Sequence, residues 1–144
     1  MECTVRWVGP QAGMSFIGGS GTNHAVLMDG APEAGGRNLG PRPMEMVLIG
    51  TGGCTAFDVV MILQKGRQAV SDCVVKLSAT RADTDPKVFT SIHFHFVVSG
   101  DKLNEAAVER AVKLSHEKYC SASIMLAHSV QMTHSFETID TAQA

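Results

Sequence analysis

The sequence predicts an α+β fold in which antiparallel sheets surround one long buried helix. Three observations carry that expectation. Apolar and polar residues alternate near both ends of the chain in short runs punctuated by glycine, proline and aspartate, the pattern of strands joined by turns. The stretch Gly40–Gln64, GPRPMEMVLIGTGGCTAFDVVMILQ, is apolar almost all round, which marks a helix inside a core rather than on its surface. The resulting order, βββ-α-ββ-α-β, keeps strands beside one another instead of alternating them with helices. At 144 residues the chain reads as a single domain, 1–144.

Each element has its own warrant. In residues 2–8, Cys3, Val5 and Trp7 alternate with Glu2, Thr4 and Arg6, which predicts a half-buried strand. Gly9-Pro10 turns the chain into a second strand near Met14–Ile17. Gly18-Gly19-Ser20-Gly21 reads as a turn, since no Lys-Ser/Thr or helix follows to make it a phosphate loop. A third strand at His24–Met28 completes a meander, and the Gly- and Pro-rich residues 30–42 read as a mobile loop. Pro43 suits the first helical position and Glu45 the positive end of the helix dipole. From there to Gln64 the helix would be roughly 33 Å long. Residues 73–79 and 88–98 alternate as two more strands, with Ile92, Phe94, Phe96 and Val98 inward and His93 and His95 opposite. Leu103–Lys118 is an amphipathic helix with Leu103, Ala107, Ala111 and Leu114 on one stripe. A short apolar piece, Ile124–Leu126, precedes a last strand over 130–136.

Composition limits what the chain does. With 44% hydrophobic and 18% charged residues it is globular in type, and a net charge of −2 offers no field for nucleic acid or an anionic membrane. The cysteines Cys3, Cys54, Cys73 and Cys120 form no C-x-x-C pair, which argues against a zinc site and a secreted disulfide scaffold. MECTVRWVG lacks a signal-peptide pattern, so the expected location is the cytoplasm. Met44–Leu63 is long enough to cross a membrane, yet a mid-span Asp58 would cost several kcal/mol there, and the core-helix reading is preferred. A domain of this size has too little sheet to wrap such a helix, so the expectation is an intertwined homodimer with two helices back to back.

One stripe of the long helix is polar. Thr51, Cys54, Thr55 and Asp58 stand at i, i+3, i+4 and i+7 and share a face. Gly50, Gly52 and Gly53 cost about 1 kcal/mol each in a helix interior, which suggests a close approach to the backbone there. If Cys54 and Cys120 meet, one thiolate attacks a peroxide to form a sulfenic acid and the other thiol condenses with it. The alternative is that free cysteines fill space, the preferred reading for Cys3 and Cys73. His116, four residues before Cys120, is a candidate base for it or a cation at a helix end. His93 and His95 read as polar residues of a sheet face; no metal and no cofactor are expected.

PRPMEMVLIGTGGCTAFDVV and SHEKYCSASIML resemble the two cysteine motifs of the osmotically induced protein C (OsmC) and organic hydroperoxide resistance (Ohr) family, and the likeness covers most of the chain. It implies an OsmC-like fold, an interwoven homodimer with sites at the subunit interface, Cys54 as the peroxide-attacking thiol and Cys120 as the resolving one. The small-molecule substrate would be an organic hydroperoxide, and an external dithiol would recycle the enzyme. In the peroxidases a Pro-Glu stands where this chain has Pro43-Met44, and its glutamate pairs with an arginine of the meander. Here the acid is Glu45, turned by about 100° on the helix, residues 14–28 hold no arginine, and Arg42 or Arg67 is the available substitute. Asp58, one turn after Cys54, is a further departure. The chain thus resembles an OsmC-like branch apart from the peroxidases. Two functions follow as expectations: a cysteine peroxidase supported by Glu45, Asp58, Thr51, His116 and Arg42, or a non-catalytic dimer binding a small apolar or thiol ligand, with Cys54 as contact or redox sensor.

Overall fold

The computed structural model describes residues 1–141, which form two compact units divided between Ile49 and Gly50. In the first, β1 (Cys3–Trp7), β2 (Ser15–Ser20) and β3 (Ala25–Asp29) make the antiparallel meander. β2 runs through Gly18-Gly19-Ser20, so the expected turn is strand: Gly18 faces Val5 on one side and Val26 on the other. A Cβ at Gly18 would come within 3.3 Å of the Met28 side-chain end, a tight contact inside the strand. The reversal falls just beyond, where Asn23 takes a left-handed φ of 62°. β1 is exposed along its whole length, with Val5 62% accessible, rather than half-buried. It is the edge of a lone three-stranded sheet, and its alternation finds no second layer within this unit.

Residues 30–42 are tied down, not free. The buried carboxylate of Asp29 accepts N–H groups from Gly30 (2.8 Å), Arg37 (3.0 Å) and Leu39 (3.0 Å). These hold its pKa low, Leu39 first, against burial, which raises it. Gly36 packs so closely on the Gly30 carbonyl that no side chain would fit. The loop then delivers Pro43 to the start of α1 (Pro43–Lys65), where Glu45 Oε2 accepts the backbone N–H of Arg42 at 2.9 Å. That is the reciprocal half of a capping box, reaching back from the third helical position.

In the second unit β4 (Ala69–Arg81) and β5 (Phe89–Asp101) pair antiparallel, and β6 (Gln131–Asp140) lies beside β5 in parallel. A parallel neighbour needs a long crossover. The chain supplies one through α2 (Glu105–Leu114), a π turn (Ser115–Tyr119) and α3 (Ser121–Leu126). The helix expected over Leu103–Lys118 begins at Glu105 and runs on from Leu114 into the π turn as far as Tyr119, and the short apolar piece belongs to α3. Asn104 caps α2 by accepting the Ala107 N–H, and Val108, Ala111 and Val112 are its buried face. β5 is the spine of the core, with Ile92, Phe94, Phe96 and Val98 at most 1% exposed.

α1 meets this unit along one stripe, Thr51, Gly52, Thr55, Asp58, Val59 and Leu63. At Gly52 an added Cβ would lie 2.7 Å from Leu77 of β4, the close approach that the helix glycines foretell. Gly50 and Gly53 have nothing within 4 Å. The opposite face is open, with Phe57 66% exposed, so burial all round is not reached within one chain.

Candidate functional site

Helical spacing puts Cys54 and Asp58 one turn apart on α1, and the crossover brings Cys120 to them. The Sγ atoms of Cys54 and Cys120 and a carboxylate oxygen of Asp58 all lie within 4.8 Å of one another. Cys54 is half-buried, Asp58 is 8% exposed and Cys120 fully buried; all four cysteines are free thiols. Cys3 and Cys73 stand apart from this group. Cys3 is exposed rather than core filler, and Cys73 is half-buried on β4, its thiol pushed up by burial and then by the charge of Asp72.

The π turn places the site's second wall. Its widened loop closes with the Cys120 N–H on the Ser115 carbonyl at 2.8 Å, and Ser115 is buried with Cys120. Single π turns inside helices recur at functional sites. Ser115 Oγ donates to Asp58 Oδ2 at 3.3 Å. Ser115 Oγ also lies 3.4 Å from the Thr55 carbonyl oxygen as a donor and shares a 2.7 Å hydroxyl–hydroxyl hydrogen bond with Thr55 Oγ1. Thr55, Ser115 and Asp58 are thus one buried relay that fixes the carboxylate. Cys120 caps α3, its Sγ accepting the Ser123 N–H at 3.4 Å while Ser123 Oγ donates to the Cys120 carbonyl at 3.2 Å. Burial is the main force raising the Cys120 thiol pKa; the Ser123 hydrogen bonds oppose it and the neighbouring Cys54 adds to it.

The other sequence-derived candidates sit in different roles. Thr51 is buried on the Cys54 stripe of α1. Glu45 and Arg42 are both exposed, and the bond between them runs through the Arg42 backbone, so they cap the helix and make no guanidinium–carboxylate pair. The His116 ring turns into the core, stacked on His134 at 4.8 Å and edge-on to Phe94 and Phe96, with its buried Nε2 unbonded. Burial, and then His134, lower its pKa to about 4, so it is neutral at pH 7 and supplies no cation. His93 bonds Thr133 and Ser135, and His95 bonds Ser135 and Glu137, as polar residues of the β5–β6 face. Sequence reasoning missed Ser115. Its signal was a polar residue at the next position of the Val108–Ala111–Val112 apolar stripe.

The chain is similar to known proteins along nearly its whole length. The model of the OsmC-like protein family matches residues 35–135. Protein YhfA of Escherichia coli K12 is 51% identical over 139 residues, 96% of this chain and 98% of that protein. A crystal structure of a hypothetical protein from Aquifex aeolicus VF5 is 30% identical, with a TM-score of 0.77 over 96% of this chain and 97% of that one. An organic hydroperoxide resistance protein OsmC from Legionella pneumophila, described also as a predicted redox protein, shares the fold at a TM-score of 0.67 and 15% identity, covering 95% and 97%.

Proposed function

The chain belongs to the OsmC-like protein family, and from that membership we propose that it is a thiol-dependent peroxidase reducing organic hydroperoxides. The observation that carries the reading is the convergence of the Cys54 and Cys120 sulfurs, within 4.8 Å, from residues 66 positions apart. Cys54 is the half-exposed member of the pair and so the one that a substrate reaches; Cys120 is fully buried and resolves.

The Cys54 thiolate attacks one oxygen of the hydroperoxide, the O–O bond breaks, and the leaving alkoxide takes a proton to become an alcohol. Cys54 is then a sulfenic acid. Cys120 displaces its hydroxyl as water, with the Cys120 thiol proton balancing that step, and a disulfide forms. An external dithiol restores both thiols by exchange.

The active form in this reading is a homodimer, as is typical of the family. Val47, Ile49 and Phe57 are exposed on α1, and Gly50 and Gly53 weaken the helix without any neighbour in the chain to justify them. A second α1 laid against that face accounts for both.

The deciding assay mixes reduced protein with cumene hydroperoxide and follows peroxide loss beside the thiol count. Loss of two thiols per chain, restored by a dithiol and abolished in Cys54→Ser, is the expected result. Thiols left intact under excess peroxide overturn the peroxidase reading and favour the ligand-binding dimer.

A further inference from the structure

Among the described residues, Cys54, Asp58 and Cys120 are the group whose thiol and carboxylate atoms converge closely enough to hold a metal ion. The chemistry of the set is particular. Two sulfurs and one carboxylate oxygen suit zinc and metals like it, whereas calcium and magnesium want oxygens alone. Sulfurs bound to one tetrahedral zinc stand about 3.8 Å apart, from Zn–S bonds of about 2.3 Å. With all three ligand atoms within 4.8 Å of one another, the two sulfurs reach that separation with side-chain adjustments of under about 1 Å.

The surroundings point the same way. Asp58 is 8% exposed, and among the described residues no Lys, Arg or His nitrogen lies within 4.0 Å of its carboxylate. A buried carboxylate ordinarily has a cationic partner or binds a metal. Its orientation is set by Ser115, which Thr55 holds in turn, the kind of outer hydrogen bond that aims a metal's carboxylate ligand. The Cys120 backbone is fixed by its bonds to Ser115 and Ser123.

We propose that the reduced chain binds one zinc-class divalent cation through Cys54 Sγ, Cys120 Sγ and a carboxylate oxygen of Asp58. A fourth position is left for water or an external ligand. Binding displaces both thiol protons to solvent, two per ion, and changes no oxidation state. The site is assembled from residues distant in sequence, which is why the absence of C-x-x-C spacing does not speak against it. It goes beyond the peroxidase reading and does not depend on it. Its consequence is that the reduced thiols exist in a metal-capped form that peroxide must compete with.

The test is an anaerobic titration of the reduced, unaltered chain with Co²⁺, followed by displacement with Zn²⁺, and X-ray absorption on the zinc form. Expected are one ion per chain, a thiolate-to-cobalt charge-transfer band, release of two protons per ion, and a shell of two sulfurs at about 2.3 Å. Asp58→Asn should weaken zinc binding by at least about tenfold while keeping the Ser115 hydrogen bond. A sulfur-free shell, or an affinity unchanged in Asp58→Asn, overturns the proposal. Neither readout uses peroxide turnover, so its failure is separate from failure of the peroxidase reading.

Discussion

Ser115 Oγ stands 3.3 Å from Asp58 Oδ2, joining the π turn that leads into Cys120 to the helix that carries Cys54. Both groups are buried, so the bond is more than a surface contact. Ser115→Ala leaves Asp58 and Thr55 each short of a partner, and unsatisfied buried polar groups cost about 1–3 kcal/mol. Urea unfolding of the variant should show a loss in that range. Thr55→Val combined with Ser115→Ala should cost less than the two changes summed, because both act on one relay. Strict additivity would show that the relay is not a unit.

The second prediction concerns the open face of α1. Phe57 projects from it at 66% exposure, with Ile49 and Val47 exposed on the same helix. Phe57→Glu puts a charge where the proposed homodimer buries an aromatic ring, and interface aromatics commonly contribute 2 kcal/mol or more, about thirtyfold in affinity. Sedimentation at micromolar concentration should find the unaltered chain dimeric and the variant shifted toward monomer. A variant that sediments as the unaltered chain does would place the subunit contact elsewhere.

How much of this was legible beforehand follows from where the information lies. The face shared by Thr51, Cys54, Thr55 and Asp58 is a matter of helical spacing, and the inward row of β5 is a matter of alternation, so both stand in the sequence. The meeting of Cys54 with Cys120 is not local, and only the resemblance to a known family suggested it. Alternation also carries no strand direction, so the parallel pairing of β6 with β5 was hidden. The π turn was hidden too, because a single helical period over 103–118 leaves no room for a widened loop. Glu45 was legible in part: its place at the positive end of the helix stands in the sequence, and its hydrogen bond to the Arg42 N–H is a detail of the folded chain.

Asp29 gives a prediction about acid. Its folded-state pKa is held below the ordinary value of about 4 by the N–H groups of Leu39, Arg37 and Gly30. A depressed carboxylate contributes stability that is present above the unfolded pKa and is lost as pH falls through the folded one. Below about pH 4 the unaltered chain should therefore lose stability more steeply than Asp29→Asn. At neutral pH, hydrogen exchange at Gly30, Arg37 and Leu39 should be slow in the native chain and faster in Asp29→Ala. Equal exchange in the two would show that the carboxylate does not hold the loop.

His116 acts in a different pH window. Its pKa falls to about 4 in the folded chain, burial being the main cause and His134 the second. The unfolded imidazole titrates near 6.5, so between these values the unfolded chain binds the extra proton. The stability linked to a neutral His116 is thus complete above about pH 6.5 and drains away as pH falls toward 4. His116→Phe keeps a ring against Phe94 and Phe96 but has nothing to protonate. Urea midpoints measured at pH 7.5, 5.5 and 4.5 should fall for the unaltered chain and fall less for the variant. Parallel curves would mean that the imidazole takes up its proton without disturbing the core, and that the burial of its ring is not what resists acid.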